Sequence, residues 1–206
     1  MNIAVYGAKG RVGSKVTDLA KKRGHTVIPI DIKSENSQNN AEVDVVIDFS
    51  VATATEDVCN FCRVHRCALV SGVTGRDEEQ QQQIERLAEE LSVVCKANFS
   101  VGVDMLHRIC EIVARELADW DCEIVEIHRK GKLDAPSGTA KSLAATVAKH
   151  RSFKRVTTHA LRLGSNFGRH EIVFATQGES LTLTHQAESV DIFALGAIIQ
   201  AEKLVK

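Results

Sequence analysis

Aromatic side chains are scarce, at 4% of 206 residues, while hydrophobic residues make up 44%. A core must therefore be aliphatic, which favours an ordered α/β chain of one large or two small domains. Long apolar runs are missing too. Stretches such as Val43-Asp44-Val45-Val46-Ile47 are strand-sized, far short of the roughly 20 residues a helix needs to cross a bilayer. Nor is there an excess of one charge, since 26 basic and 27 acidic side chains leave a net charge of −1. Without a basic run interleaved with aromatics, neither nucleic acid nor a membrane is an expected partner. Met1-Asn2-Ile3-Ala4-Val5-Tyr6 enters a strand pattern without the basic and apolar regions of a leader, so a cytoplasmic location is expected. A second CxxC is also absent. Cys59 and Cys62 form the first, with His65 and Cys67 nearby, but structural zinc needs four convergent ligands, commonly from two knuckles. Cysteines at i, i+3 equally suit the buried face of a helix, so free thiols and no metal are expected.

What is present is a βα rhythm. Residues 2–6 read as a strand, Arg11 to Arg23 as a helix closed by Gly24, and Thr26 to Ile30 as a second strand. Strands at Val43 to Phe49, Ala68 to Ser71 and Val93 to Lys96 alternate with helices at Thr53 to Val64 and Asp77 to Leu91. That alternation predicts a parallel sheet with helices on both faces. Ser34 to Asn40 is polar and reads as a loop. From Asn98 the rhythm changes: helices at Val103 to Ala118 and Ser137 to His150 flank a strand at Cys122 to Ile127. Strands at His170 to Thr176 and Ser180 to Gln186 follow, joined by a hairpin-sized Gln177-Gly178-Glu179, and Val190 to Leu204 closes the chain as a helix. The expected architecture is α/β, a Rossmann-like parallel-sheet dinucleotide domain (1–99 and 190–206) plus an α+β substrate and oligomerisation domain with a mixed sheet (100–189).

Gly7-Ala8-Lys9-Gly10-Arg11-Val12-Gly13 lies between the first strand and the first helix. Glycines there let backbone approach a pyrophosphate, and the helix N-terminus adds N–H groups and a positive dipole end. The spacing is GxxGxxG rather than GxGxxG, and it gains weight from Asp31, placed at the end of the second strand where a carboxylate accepts from adenosine ribose hydroxyls. Gly72-Val73-Thr74-Gly75 and Ala97-Asn98-Phe99 follow the fourth and fifth strands, at the carboxyl edge where open α/β sheets bind ligands.

The stretch from Glu126 to Ala140 carries the other candidate chemistry. Ser137 is placed to cap a helix whose first amides, at Gly138 and Thr139, form an anion site. Lys132 and Arg129 add positive charge, and His128 is a proton donor near neutral pH. A small carboxylate fits this set, although by composition alone the loop reads first as a solvated basic turn.

GAKGRVG (7–13), VIDFS (46–50), SGVTG (71–75), ANFSVGV (97–103), EIHRKGKLDAPSGTA (126–140) and ALRLG with GRHEIVFATQGESLTLTHQAES (160–189) together resemble the dihydrodipicolinate reductases, also called 4-hydroxy-tetrahydrodipicolinate reductases. The resemblance spans nearly the whole chain, and its most specific element is His-x-x-x-Lys followed by Asp-Ala-Pro-Ser-Gly-Thr. It implies an NAD(P)H-dependent oxidoreductase of diaminopimelate and lysine biosynthesis, usually a homotetramer, acting on a cyclic dicarboxylate with NADH, NADPH or both. It implies cofactor contacts from Gly7, Lys9, Gly10, Arg11, Val12, Gly13 and Asp31. Further cofactor contacts are implied for Phe49, Gly72, Val73, Thr74, Ala97, Asn98 and Phe99. His128 matches the acid/base and Lys132 the catalytic lysine; Arg129, Lys132, Ser137, Gly138 and Thr139 match the substrate site. Departures are Arg129 and Gly131 where many members carry histidine, Val190 where Ser-Arg is common, and a short chain. Two competing readings remain open, a related dehydrogenase of another small carboxylate and a non-catalytic NAD-sensing module.

Overall fold

Five short β-rich runs pair side by side: β1 (Asn2–Tyr6), β2 (Thr26–Ile30), β3 (Val45–Asp48), β4 (Ala68–Ser71) and β5 (Val93–Cys95). All pairs are parallel, in the order β2-β1-β3-β4-β5. The computed structural model describes residues 1–30, 42–151 and 156–205. It falls into two units, Met1–Phe99 with Val190–Lys206, and Ser100–Ser189. The loop expected at Ser34 to Asn40 lies outside the described residues.

Period-two alternation divides the first sheet between two cores. Ile3, Val5, Val45 and Ile47 pack on Val16 and Ala20 of α1 (Arg11–Lys22) and on Ala194, Ala197, Ile198 and Ala201 of the C-terminal helix Asp191–Leu204. Ala4, Tyr6, Val46 and Leu69 face Val58, Cys59 and Cys62 of α2 (Thr55–His65) and Ile84 and Leu87 of α3 (Glu78–Glu90). The C-terminal helix presses close: a Cβ on Gly196 would lie 1.7 Å from the Phe99 carbonyl oxygen. Cys59, Cys62 and Cys67 are free and buried in this second core. Because β1 lies between β2 and β3, the chain leaves its C-terminal end in opposite directions, making the crevice where such sheets take ligands.

In the second unit, α4 (Val101–Glu116) precedes β6 (Asp121–His128), α5 (Gly138–Ala148), β7 (Thr157–Arg162), β8 (Arg169–Thr176) and β9 (Glu179–Gln186). The helix Asp191–Leu204 is thus α6. The sheet order is β7-β6-β8-β9, with β6 and β7 parallel and the other pairs antiparallel. It is a mixed sheet, as expected, and β7 is a strand that the sequence pattern does not show. Thr157–Arg162 lacks strong alternation, and its strand character comes from pairing with β6 across the α5 crossover. Within this unit Ile124, Ile172 and Phe174 pack on Leu106, Cys110, Ala140 and Leu143, so α4 and α5 cover one face. Helix limits shift as well: α4 starts at Val101 because the Ser100 hydroxyl caps Val103 N at 3.3 Å.

Candidate active site

The turn after β1 tolerates only glycine at two points. Gly7 has φ +72, and a Cβ there would lie 2.7 Å from the Phe49 carbonyl oxygen; one on Gly13 would lie 2.1 Å from the Gly7 carbonyl oxygen. The first turn of α1 is thereby seated directly on the β1 turn. Gly10 is the N-cap, with no side-chain cap and no acidic residue in the first turn, so the positive helix end is left for an anion. Lys9 and Arg11 beside it are exposed, while Val12 is half-buried. These features fit the diphosphate of a dinucleotide. Gly7 N donates to Ile30 O at 3.0 Å, tying the turn to the end of β2; Asp31, the next residue, lies outside the described residues.

Phe49 and Phe99 meet edge to face with ring centres 6.0 Å apart, and a Cβ on Gly72 would strike the Phe49 ring. These three expected cofactor residues are therefore brought together. Val73 is buried, Thr74 and Ala97 are exposed, and Asn98 is half-buried. Beneath them lies a network the sequence reading missed. Asp48, buried at the end of β3, accepts from Ser50 N (2.9 Å), the Ser50 hydroxyl (2.5 Å) and the Ser71 hydroxyl (2.8 Å). Arg76 donates to the Ser71 hydroxyl at 2.7 Å and to the Val73 carbonyl at 3.0 Å, and forms an ion pair with Asp48 at 3.5 Å. The loops after β3 and β4 are thus pinned to each other.

In the second unit the candidate residues cluster around the C-terminal end of β6. Glu126 and His128 are two residues apart on one strand, hence on the same face. Glu126 is fully buried and accepts from Arg162 Nη2 (2.7 Å), Arg162 Nη1 (3.0 Å), Ser137 N (3.1 Å) and His128 Nδ1. Arg162 Nη2 also donates to Asp134 O at 2.6 Å, strapping the 129–137 loop to the sheet. Burial pushes the Glu126 carboxyl up, but bonds from Arg162 and His128 outweigh it, and the net shift is downward. An ionised carboxylate only accepts, so His128 donates from Nδ1 and its Nε2 is bare in the neutral ring.

Burial lowers the proton affinity of His128, Lys132 and Arg162 lower it further, and Glu126 only partly compensates. The ring is therefore held toward its neutral form, so as a proton donor it must first take up a proton. Its neighbour His170, with ring centres 5.2 Å apart, is pushed by burial and the His128 charge down to about 3. Lys132 Nζ sits 2.7 Å from Asp134 Oδ1. Ser137 is buried and committed: its hydroxyl caps Ala140 N at 3.2 Å and meets His170 Nε2 at 3.2 Å. What α5 offers a ligand is its N-terminal backbone at Gly138 and Thr139, with Arg129 exposed nearby in sequence. Glu126, Arg162 and His170 escaped sequence reasoning. The i, i+2 spacing of an acid and a histidine on one strand was the available signal for Glu126.

Comparison with known proteins points one way. The family described as "Dihydrodipicolinate reductase, N-terminus" matches residues 22–99, and "Dihydrodipicolinate reductase, C-terminus" matches residues 102–206. The chain is similar to the 4-hydroxy-tetrahydrodipicolinate reductase of Thermosipho africanus, 37% identical over 98% of this chain and 90% of that protein. It is also similar to that of Nitratiruptor sp., 34% identical over 100% and 94%. Among solved structures, a dipicolinate-bound dihydrodipicolinate reductase from Paenisporosarcina sp. TG-14 superposes with a TM-score of 0.83 at 22% identity, covering 100% of this chain and 94% of that one. An aspartate semialdehyde dehydrogenase from Vibrio cholerae shares the fold at a TM-score of 0.60 and 10% identity, covering 99% and 97%.

Proposed function

Since the chain belongs to the dihydrodipicolinate reductase family, we propose that it reduces 4-hydroxy-tetrahydrodipicolinate with NADH or NADPH, in the cytoplasm, toward diaminopimelate and lysine. The observation that carries this reading is the convergence of His128, Glu126, Lys132 and the α5 N-terminus on one end of β6. A dehydrogenase of a different substrate has no need of that combination, nor has a sensing module.

The Gly7–Gly13 turn would hold the diphosphate, and Phe49, Gly72 to Thr74 and Ala97 to Phe99 the rest of the dinucleotide. When bound, the reduced dinucleotide supplies the hydride. The backbone of Gly138 and Thr139, with Lys132 and Arg129, would hold carboxylate, and the Lys132 ammonium would oppose the negative charge that develops in the ring. His128, neutral at rest, takes up a proton alongside the doubly negative substrate and then delivers it. Asp31 repels a 2′-phosphate, whereas Lys9 and Arg11 attract one, so a modest preference for NADH is expected.

The test follows NADH absorbance with enzymatically generated 4-hydroxy-tetrahydrodipicolinate, then repeats with NADPH and with Asp31→Ala. Substrate-dependent loss of absorbance is expected, with a kcat/KM ratio that moves toward NADPH in the variant. No oxidation above the protein-free rate removes the proposal.

A further inference from the structure

Glu126 makes more bonds than its burial requires. Arg162 alone, bonded through both terminal nitrogens at 2.7 and 3.0 Å, gives a buried carboxylate its counter-charge. Ser137 N adds a third donor at 3.1 Å. The remaining acceptor position goes to Nδ1 of His128. The other ring nitrogen, Nε2, lies where Gly168 has no side chain: a Cβ there would be 2.9 Å from it, and Gly168 holds φ +138, which other residues rarely adopt.

We propose that Glu126, its charge held by Arg162, is the positioning residue that fixes His128 as the Nδ1–H tautomer and makes Nε2 the atom that carries the reaction's proton. This deepens the reductive reading above and rests on it. Of the charged and titratable groups facing the ring, Lys132 from the loop and Arg162 from β7 oppose an imidazolium, while His170 from β8 is itself neutral. Among the described residues, Glu126 is the one that favours the imidazolium. When a dicarboxylate binds, Nε2 takes one proton from solvent and the ring becomes cationic against Glu126. The 4-hydroxyl leaves with a neighbouring ring proton as water, giving the conjugated cyclic imine. After the two-electron hydride transfer from the reduced dinucleotide to that imine, the Nε2–H bond breaks, its proton goes to the electron-rich ring carbon, and His128 returns to neutral Nδ1–H. One water is lost, one hydride and one proton are added, and the dinucleotide is oxidised.

The experiment is histidine side-chain 15N NMR on the full chain at pH 7, free and with pyridine-2,6-dicarboxylate as probe, for the unmodified protein and Glu126→Gln. The free protein should show a protonated Nδ1 and a bare Nε2, and saturating probe should protonate Nε2. In Glu126→Gln, Nε2 should stay bare with probe bound. The kcat for NADH oxidation should fall about 10- to 100-fold at pH 7, with its pH dependence moved at least about one unit to the acid side, while KM changes little. A merely structural Glu126 would lower stability without moving that profile. An Nε2–H tautomer in the unmodified protein, or normal proton uptake in Glu126→Gln, overturns the proposal. Should that variant not fold, Glu126→Asp, one methylene shorter, must show a mixed tautomer; an unmixed native tautomer is equally fatal. If the tautomer is as expected but no NADH is consumed, the reductive reading fails and the positioning role stands.

Discussion

At the scale of single residues, His128 and Lys132 divide the labour differently. A proton carrier acts in the transition state, so His128→Ala should lower kcat by roughly 10²–10⁴ with little change in KM. In the proposed mechanism Lys132 also binds the ground-state carboxylate, so Lys132→Ala should impair both, losing a charged hydrogen bond worth about 1.5–3 kcal/mol. Steady-state kinetics with both variants checks this, and near-normal turnover in each would defeat it. His170 gives a prediction about folding. Its imidazole titrates at about 3 in the folded chain against an ordinary 6.5, so between those values the unfolded chain binds more protons. The contribution is fully present above pH 6.5 and is lost as pH falls toward 3, by at most about 1.4 kcal/mol per pH unit. His170→Gln keeps an amide partner for the Ser137 hydroxyl and removes the titration. Urea unfolding at several pH values should show a shallower acid slope in that variant; an unaltered slope would mean that His170 titrates as it does in water.

At the scale of elements, α6 depends on one missing methyl group. A Cβ on Gly196 would lie 1.7 Å from the Phe99 carbonyl oxygen, and backbone cannot swing aside as a side chain can. Gly196→Ala should therefore cost about 1–3 kcal/mol by forcing α6 off the sheet, despite the better helix propensity of alanine. Thermal melts would read this as a lower Tm, and an unchanged Tm would mean that α6 packs elsewhere. The parallel βα elements were legible because buried runs such as Val45 to Ile47 and the glycines of the β1 turn carry their reasons locally. β7 was not, because Thr157–Arg162 is a strand only by virtue of its partner β6. The candidate site divides in the same way. His128 and Lys132 are visible as candidates by residue type, and take their roles from the His-x-x-x-Lys motif that carries the family resemblance. Glu126 and Arg162 look like ordinary surface charges until the β6/β7 register, with His128 opposite Arg162, puts them under the same loop. Asp48 and Arg76 likewise acquire meaning only when β3 and β4 pair and bring Asp48 opposite Ser71.

At the scale of the whole molecule, the second unit has a sheet with helices on one face. Ile124, Ile172 and Phe174 point into that covered side, so by strand alternation Val125, Ile127 and Val173 point to the other, where they are half-buried among Glu123, Glu171 and Thr182. A partly apolar sheet face suits association with copies of itself, and it is the face expected to be covered if the chain forms the homotetramer that the family resemblance implies. Val173 offers a discriminating substitution because its cross-strand partner on β6 is Glu123. A lysine there lies opposite Glu123, whose carboxylate also meets His159 Nε2 at 2.8 Å, so the monomer's fold and far-UV circular dichroism should be unchanged. Burial against a second copy, in contrast, would strip that lysine of water at a cost of several kcal/mol unless it were paired again. Sedimentation velocity at micromolar concentration should therefore show tetramer for the unmodified protein and smaller species for Val173→Lys. The change should weaken at high salt if the block is charge repulsion between copies, and persist if it is desolvation. A tetramer that survives the substitution would place the interface on another surface, and a monomeric unmodified protein would leave the open face of this sheet with no assembly role.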